Sequence, residues 1–147
     1  MNDAKYDSLK LENQLCFPLY ACAREIVKRY KPYLDEIDLT YTQYITMMVL
    51  WEHGQVTLKQ LGDRLFLDSG TLTPVLKSLE TKGYVRRFRS REDERILEVE
   101  ITDKGEQLRD RALAIPQAVA GCVKLDTEEA MELYRLLYKV LASMKEE

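Results

Sequence analysis

The chain has 147 residues, a formal net charge of −3, and hydrophobic and charged fractions of 46% and 32%; these suit one domain with a real core and leave no repeat array or low-complexity segment. Its polar start, MNDAKYDSLKLENQ, lacks the apolar centre of a signal peptide, and the longest apolar run, residues 45–51, is too short to span a bilayer, so no membrane partner is expected. Three cysteines without an export signal point to reduced thiols in the cytoplasm, not to a disulfide framework.

Leu11, Leu15, Leu19, Cys22, Ile26 and Tyr30 follow a helical stripe, which predicts a long first helix over about residues 9–33. Pro18 is expected to kink it, and Pro32 with the following DEID segment to end it. Thr40 is placed to cap a second helix that runs through Ile45, Met48, Val49 and Trp51 to His53 and Gly54. That helix is apolar on most sides, which predicts burial in the middle of the fold. Thr57 caps a short third helix with Leu58, Leu61 and Leu65 inward, and residues 66–69 form a turn.

The fourth helix, residues 68–82, places Leu72, Val75, Leu76 and Leu79 on one face. Asp68, Ser69 or Thr71 can cap it, Pro74 fits only near its first turn, and Gly83 ends it. Its other face carries Gly70, Thr71, Thr73, Lys77, Ser78 and Thr81, which would not repel phosphate. Residues 84–89 read as a strand, and Leu97, Val99 and Ile101 alternate with Glu98 and Glu100 as a second, joined by the charged tip RSREDER. Between Lys77 and Arg91 six basic residues stand against one acid, Glu80, a concentrated patch on an acidic chain. Short helix, turn, polar-faced helix and basic hairpin make a winged helix-turn-helix, which favours a nucleic-acid partner.

Thr102 and Asp103 open a fifth helix with Leu108, Leu113, Ile115 and Val119 as apolar positions and Pro116 as a bend. Asp126 and Glu129 form an acidic capping box for a last helix, whose stripe is Met131, Leu133, Leu136, Leu137, Val140, Leu141 and Met144. The expected architecture is therefore mainly α with a small β-hairpin, one domain over residues 1–147. In it a winged helix-turn-helix of about residues 40–105 lies between dimerisation helices at about 9–33 and 106–145.

Asp93, Glu94 and Arg95, followed by Val99, Ile101, Thr102 and Gly105, resemble the D-x-R-x-x-x-V-x-L-T-x-x-G signature of the multiple-antibiotic-resistance regulator (MarR) family. LDSGTLTPVLKSLETKGYVRR is similar to that family's recognition helix. KLENQLCFPLYACAREI with LTYTQY resembles its organic hydroperoxide resistance branch. The resemblance implies a homodimeric repressor that sets recognition helices in successive major grooves of a pseudo-palindromic operator, roughly 34 to 36 Å apart, with wing arginines in the minor grooves. Carried onto this chain, Ser69, Thr71, Thr73 and Lys77 would face bases and phosphates. Arg95 would enter the minor groove, Asp93 would hold the tip, and Arg86, Arg87 and Arg89 would touch phosphate. Ser78 departs from the branch, which carries a basic residue there.

The resemblance also implies a thiol switch. Cys16 would attack an organic hydroperoxide as its thiolate, with Tyr30 and Tyr41 reaching it across the dimer to hydrogen-bond that thiolate. Cys22 lies about 9 Å along the same helix, beyond disulfide reach, and reads as packing. The sulfenic acid would be captured either by Cys122 of the other subunit, which resembles a fifth-helix cysteine of two-cysteine members, or by a low-molecular-weight cellular thiol. Two rivals remain: a repressor released by a phenolic or other non-oxidising ligand in the interface pocket, and a thiol peroxidase. Neither a C-x-x-C pair nor a phosphate or dinucleotide loop supports an enzyme, and the single histidine, His53, supports no metal cluster, so no cofactor or metal is expected.

Overall fold

Helix starts are fixed locally by side chains that satisfy otherwise orphaned amides. Thr40 and Gln43 form a reciprocal capping box that opens α2 (Tyr41–His53), and Thr57 with Gln60 does the same for α3 (Leu58–Leu65). Asp68 accepts from the Thr71 amide at 2.7 Å and opens α4 (Ser69–Thr81). Thr102 caps α5 (Asp103–Ala112), and Asp126 with Glu129 caps α7 (Thr127–Lys145). The computed structural model describes residues 4–145. Residues 1–3 and 146–147 of the expected 1–147 span lie outside it.

The N-terminal region departs from expectation. Residues Ala4–Leu9 and Leu11–Asn13 form 3-10 turns, and the first true helix, α1, spans Cys16–Asp35. The side chains of Asn13 and Gln14 fold back onto the Asp7 and Ser8 carbonyls, both at 2.7 Å, and this local bonding replaces helix before Leu15. Pro18 consequently falls in the first turn of α1, where its missing N–H has no partner to lose, so no kink is needed. Pro32 does not end the helix either. The Lys31–Asp35 pair at 2.9 Å and the buried Leu34 carry the last turn past it.

Three antiparallel strands, not two, form the sheet in the order β1-β3-β2, with β1 Gln55–Thr57, β2 Val85–Arg89 and β3 Leu97–Ile101. β1 is too short to show an alternation; it is fixed by Val56 pairing opposite Val99. The expected single fifth helix is broken: α5 stops at Ala112, Leu113 is exposed, and a short α6 (Ile115–Ala120) follows with Pro116 in its first turn. Pro74 is also deeper than expected, at the sixth position of α4. The Gly70 carbonyl it leaves free is on an exposed residue and so stays hydrated.

The core gathers around α2, where Thr46, Met47 and Leu50 have no accessible surface, joined by Leu61, Leu72, Leu76, Leu79 and Val99. The helix-turn-helix turn requires Gly62, because a Cβ there would stand 2.6 Å from the Leu67 carbonyl oxygen. Phe66 closes α3 in the left-handed region at φ 57°; its ring meets Tyr138 of α7 with centroids 6.5 Å apart, and the Lys145 ammonium sits 4.6 Å above it. The terminal helices bury little: α1 contributes only Leu34 to the core and α7 nothing.

At the wing base Trp51 donates to the Gly105 carbonyl at 2.9 Å, and a Cβ on Gly105 would overlap the Tyr84 carbonyl. Gly105→Ala is therefore expected to cost about 2–3 kcal/mol of unfolding free energy, whereas Gly121→Ala, with nothing within 4 Å, should stay within about 0.5 kcal/mol. Urea titration of both variants checks the pair.

Candidate nucleic-acid interface and thiol site

The first turns of α4, the start of α3 and the wing enclose a cleft of about 770 Å³. Ser69 and Thr73 from α4 line it together with Arg87 and Arg89 from β2 and Arg95 from the wing tip. Five residues singled out in separate stretches of sequence thus share one surface. Thr71 and Lys77 lie on the exposed face of α4 outside the cleft. Ser78 does not share that outward face: its hydroxyl accepts from the Gln43 side-chain amide at 2.9 Å. The amide of Thr71 holds the Asp68 carboxyl below the usual range.

Alternation along β2 divides the wing arginines. Arg86 stacks on Phe88, 5.0 Å from the ring centre, and pairs with Glu100 directly across the strand pair. Arg87 and Arg89 point to the cleft side. Arg87 is mostly covered: it binds Glu80 of α4 at 3.1 Å, while the other Glu80 oxygen accepts from the Arg87 backbone amide at 3.1 Å. Its Nε is buried without a partner. Lys82 is also engaged, donating to the Asp38 carbonyl at 2.5 Å. The patch that the sequence counts as six cations against one acid is therefore half neutralised by Glu80, Glu100 and Asp38. Among the described residues, Lys77, Arg89 and Arg91 make no ion pair.

At the tip, Asp93 accepts from the Arg95 backbone amide, Nε and a terminal guanidinium nitrogen, each at 3.0 Å. This fork lowers the Asp93 carboxyl and leaves the Arg95 side chain projecting, 89% exposed. The Ser90 amide bonds the Ile96 carbonyl at 2.8 Å and closes the loop.

Cys16 is the first residue of α1 and is exposed. Tyr30 and Tyr41 do come together, edge to face with centroids 5.0 Å apart. Tyr44 joins them at 5.8 and 6.2 Å, a residue that sequence reasoning missed although it follows Tyr41 by one helical turn. Burial raises the phenols of Tyr41 and Tyr44, and the nearby Tyr30 adds to it. Fourteen residues of continuous helix separate Cys16 from Tyr30, about 21 Å, so one chain does not bring the thiol to the tyrosines. Cys122 is not in a helix: it lies exposed in the turn after α6, its amide bonded to the Val119 carbonyl at 2.9 Å. Cys22 is exposed rather than packed within the chain, as are Leu19 and Val27 of the same helix. No group of three or more potential metal-binding side chains occurs among the described residues, and no described helix is long and apolar enough to cross a membrane.

Residues 28–112 match the family described as transcriptional regulator SarA/Rot. The organic hydroperoxide resistance transcriptional regulator of Bacillus subtilis is 46% identical over 140 residues, 95% of each chain. The chain belongs to the SarA/Rot family of MarR-like transcriptional regulators. Among solved structures, this regulator is similar to reduced AbfR bound to DNA, with a TM-score of 0.78 and 34% identity over 97% of both chains. It is also similar to disulfide-formed AbfR, with a TM-score of 0.66 and 33% identity over 98% of both; AbfR is a Staphylococcus epidermidis protein. The winged-helix fold and the likeness to the organic hydroperoxide resistance branch expected from the motifs are thus both shown.

The Glu80–Arg87 contact gives a pH dependence with a definite sign. Arg87 depresses the Glu80 carboxyl, so its contribution is complete above the ordinary glutamate range and is lost as pH falls through the lowered value. Glu80→Gln should cost about 0.5–1 kcal/mol near pH 7, modest because the carboxylate is part exposed, and should cost less as the pH falls below the ordinary glutamate range to about 3. Denaturation of both proteins at the two pH values measures it.

Proposed function

We propose that this regulator is a homodimeric DNA-binding repressor that senses organic hydroperoxides by oxidation of Cys16 and then leaves its operator. The observation that carries the reading is the separation within one chain: an exposed thiol heads an amphipathic helix, and a tyrosine cluster lies about 21 Å along it. A second copy packed antiparallel on α1 would bring the thiol of each copy to the tyrosines of the other. Exposed Leu19, Ile26, Leu133, Leu137 and Val140 on α1 and α7 supply the apolar surface for that dimer.

In the reducing cytoplasm the Cys16 thiolate attacks one peroxide oxygen. An S–O bond forms, the O–O bond breaks, sulfur loses two electrons, and the alkoxide leaves and takes a proton as the alcohol. A second thiol then displaces hydroxide from the sulfenic acid, which departs as water. Cys122 of the other copy supplies that thiol, a role supported by its exposure and by the likeness to disulfide-formed AbfR; a small cellular thiol is the alternative donor. The event is stoichiometric, so the protein is a sensor and not a peroxidase.

On DNA, Ser69, Thr71, Thr73 and Lys77 face bases and phosphates from α4. Arg95 enters the minor groove in the conformation that Asp93 holds, and Arg89 takes phosphate. Arg86 and Arg87 reach phosphate only by giving up Glu100 and Glu80, so their main part is to stiffen the wing. Oxidation changes the spacing between the two recognition helices, and both half-sites can no longer be met together. A full reversal of the competent population takes about 5.5 kcal/mol, within reach of a covalent bond. A hollow of about 270 Å³ beside Tyr41, flanked by Lys28 and Lys31, favours one other reading, release by a non-oxidising phenolic ligand.

Fluorescence anisotropy with a duplex from the promoter of its own gene tests the choice. One equivalent of cumene hydroperoxide should weaken wild-type binding on the order of a hundredfold and leave Cys16→Ser bound. Release of both proteins by a phenol, and of neither by peroxide, would overturn the thiol switch. Arg95→Ala should weaken binding and lower the slope of log affinity against log salt by about 1.

A further inference from the structure

Gln43 lies between Tyr41 and Tyr44 on α2, and closing the capping box with Thr40 uses only part of its side chain. It is 6% exposed, and both polar atoms of its side chain are bonded. Its backbone amide donates to the Thr40 hydroxyl at 3.2 Å, and its side-chain oxygen accepts from the Thr40 amide at 3.0 Å and from the Lys82 ammonium at 3.1 Å. Its side-chain nitrogen donates to Ser78 at 2.9 Å. Lys82 continues the chain to the carbonyl of Asp38, in the turn between α1 and α2 where φ is 53°.

A capping box needs only the side-chain oxygen, which glutamate would also supply. What the amide adds is a donor on its second arm, and that donor meets the last turn of α4. Ser78 suits the contact because its hydroxyl can accept from the Gln43 amide. Met47 and Leu50 of α2 and Leu72, Leu76 and Leu79 of α4 belong to the same buried apolar cluster, and apolar surfaces can slide. A directional bond on a buried amide has no water to replace it, so it is either made or broken.

We propose that Gln43 is the positioning residue through which the tyrosine cluster sets the recognition helix, by its hydrogen bonds to Ser78 and Lys82. Tyr41 and Gln43 share the first turn of α2, which the Thr40 box locks as a unit, so displacement of the Tyr41 ring turns the Gln43 amide against Ser78. The coupling rests on the thiol-switch reading for its natural trigger but not for its geometry, and a substitution in the cluster triggers it as well.

Hydrogen–deuterium exchange on the DNA-free regulator tests it. Tyr41→Ala should speed exchange across residues 69–81 about threefold or more in the wild-type background. In the Ser78→Ala and Gln43→Met backgrounds the same change should add less than about 1.5-fold, and Ser78→Thr, which keeps the hydroxyl, should restore the response. Ser78→Ala removes only the far acceptor, so the test stands even if Gln43→Met does not fold. A response of α4 that is absent in the wild type, or equal in all backgrounds, overturns the proposal. In the anisotropy assay the ratio of reduced to peroxide-treated affinity should fall about tenfold in Ser78→Ala. Wild-type protein that keeps its DNA under peroxide while the exchange coupling persists strikes down the thiol switch and leaves the coupling standing.

Discussion

Met47, Leu50 and Thr46 have no accessible surface, because α1, α3, α4, α5 and two strands all rest on the one helix that carries them. A helix with this many neighbours cannot tilt without moving them, although its Met48 and Glu52 edge faces solvent, since protein interiors are close-packed and resist small displacements. Its two ends are tied as well, at the N-terminus by the Thr40–Gln43 box and at the C-terminus by the Trp51 bond to Gly105. The tyrosine cluster, the recognition helix and the wing base therefore refer to one common axis. Thr46, the polar member of the buried set, is satisfied by the Thr42 carbonyl at 2.8 Å and so does not weaken it.

Much of this was legible because it is local. Thr40, Thr57, Asp68, Thr102 and Asp126 each cap the helix expected of them, since a cap acts over three residues and needs no knowledge of the fold. The α4 stripe and the strand alternation were equally plain, as was the cleft-forming set on α4 and the wing. The prolines were misread for a related reason. Whether Pro18 kinks a helix depends on where that helix starts, and Asn13 and Gln14 move the start by bonding back to Asp7 and Ser8. The charge count failed where partners are distant: Glu100 is 14 residues from Arg86, and Asp38 is 44 from Lys82. The sequence singles out neither Tyr44 nor Gln43, because what distinguishes them lies in what they touch.

The outer helices show the opposite economy. α7 is 19 residues long and buries none of them, while its Met131, Leu133, Tyr134 and Val140 stay exposed. An amphipathic helix of this length gains little from propensity alone, and most helical stability comes from packing an apolar face. Within the chain it is held near its C-terminal end, where Tyr138 and Lys145 meet Phe66 at the helix-turn-helix turn. The reading head is thus complete in one copy, and the surfaces joining it to anything else are the ones left bare.

The Asp93–Arg95 fork bears on how the molecule would approach a nucleic acid. Two opposite charges three ångströms apart nearly cancel at long range, so the wing tip exerts little pull from a distance. Attraction would fall instead to Lys77, Arg89 and Arg91, which make no ion pair among the described residues of a chain whose net charge is negative. A positive patch on a chain of negative net charge favours approach by that face, so encounters are sorted before contact. Arg95, already held in place by its carboxylate, would then lose little side-chain freedom on docking and would act as a late, short-range check on fit.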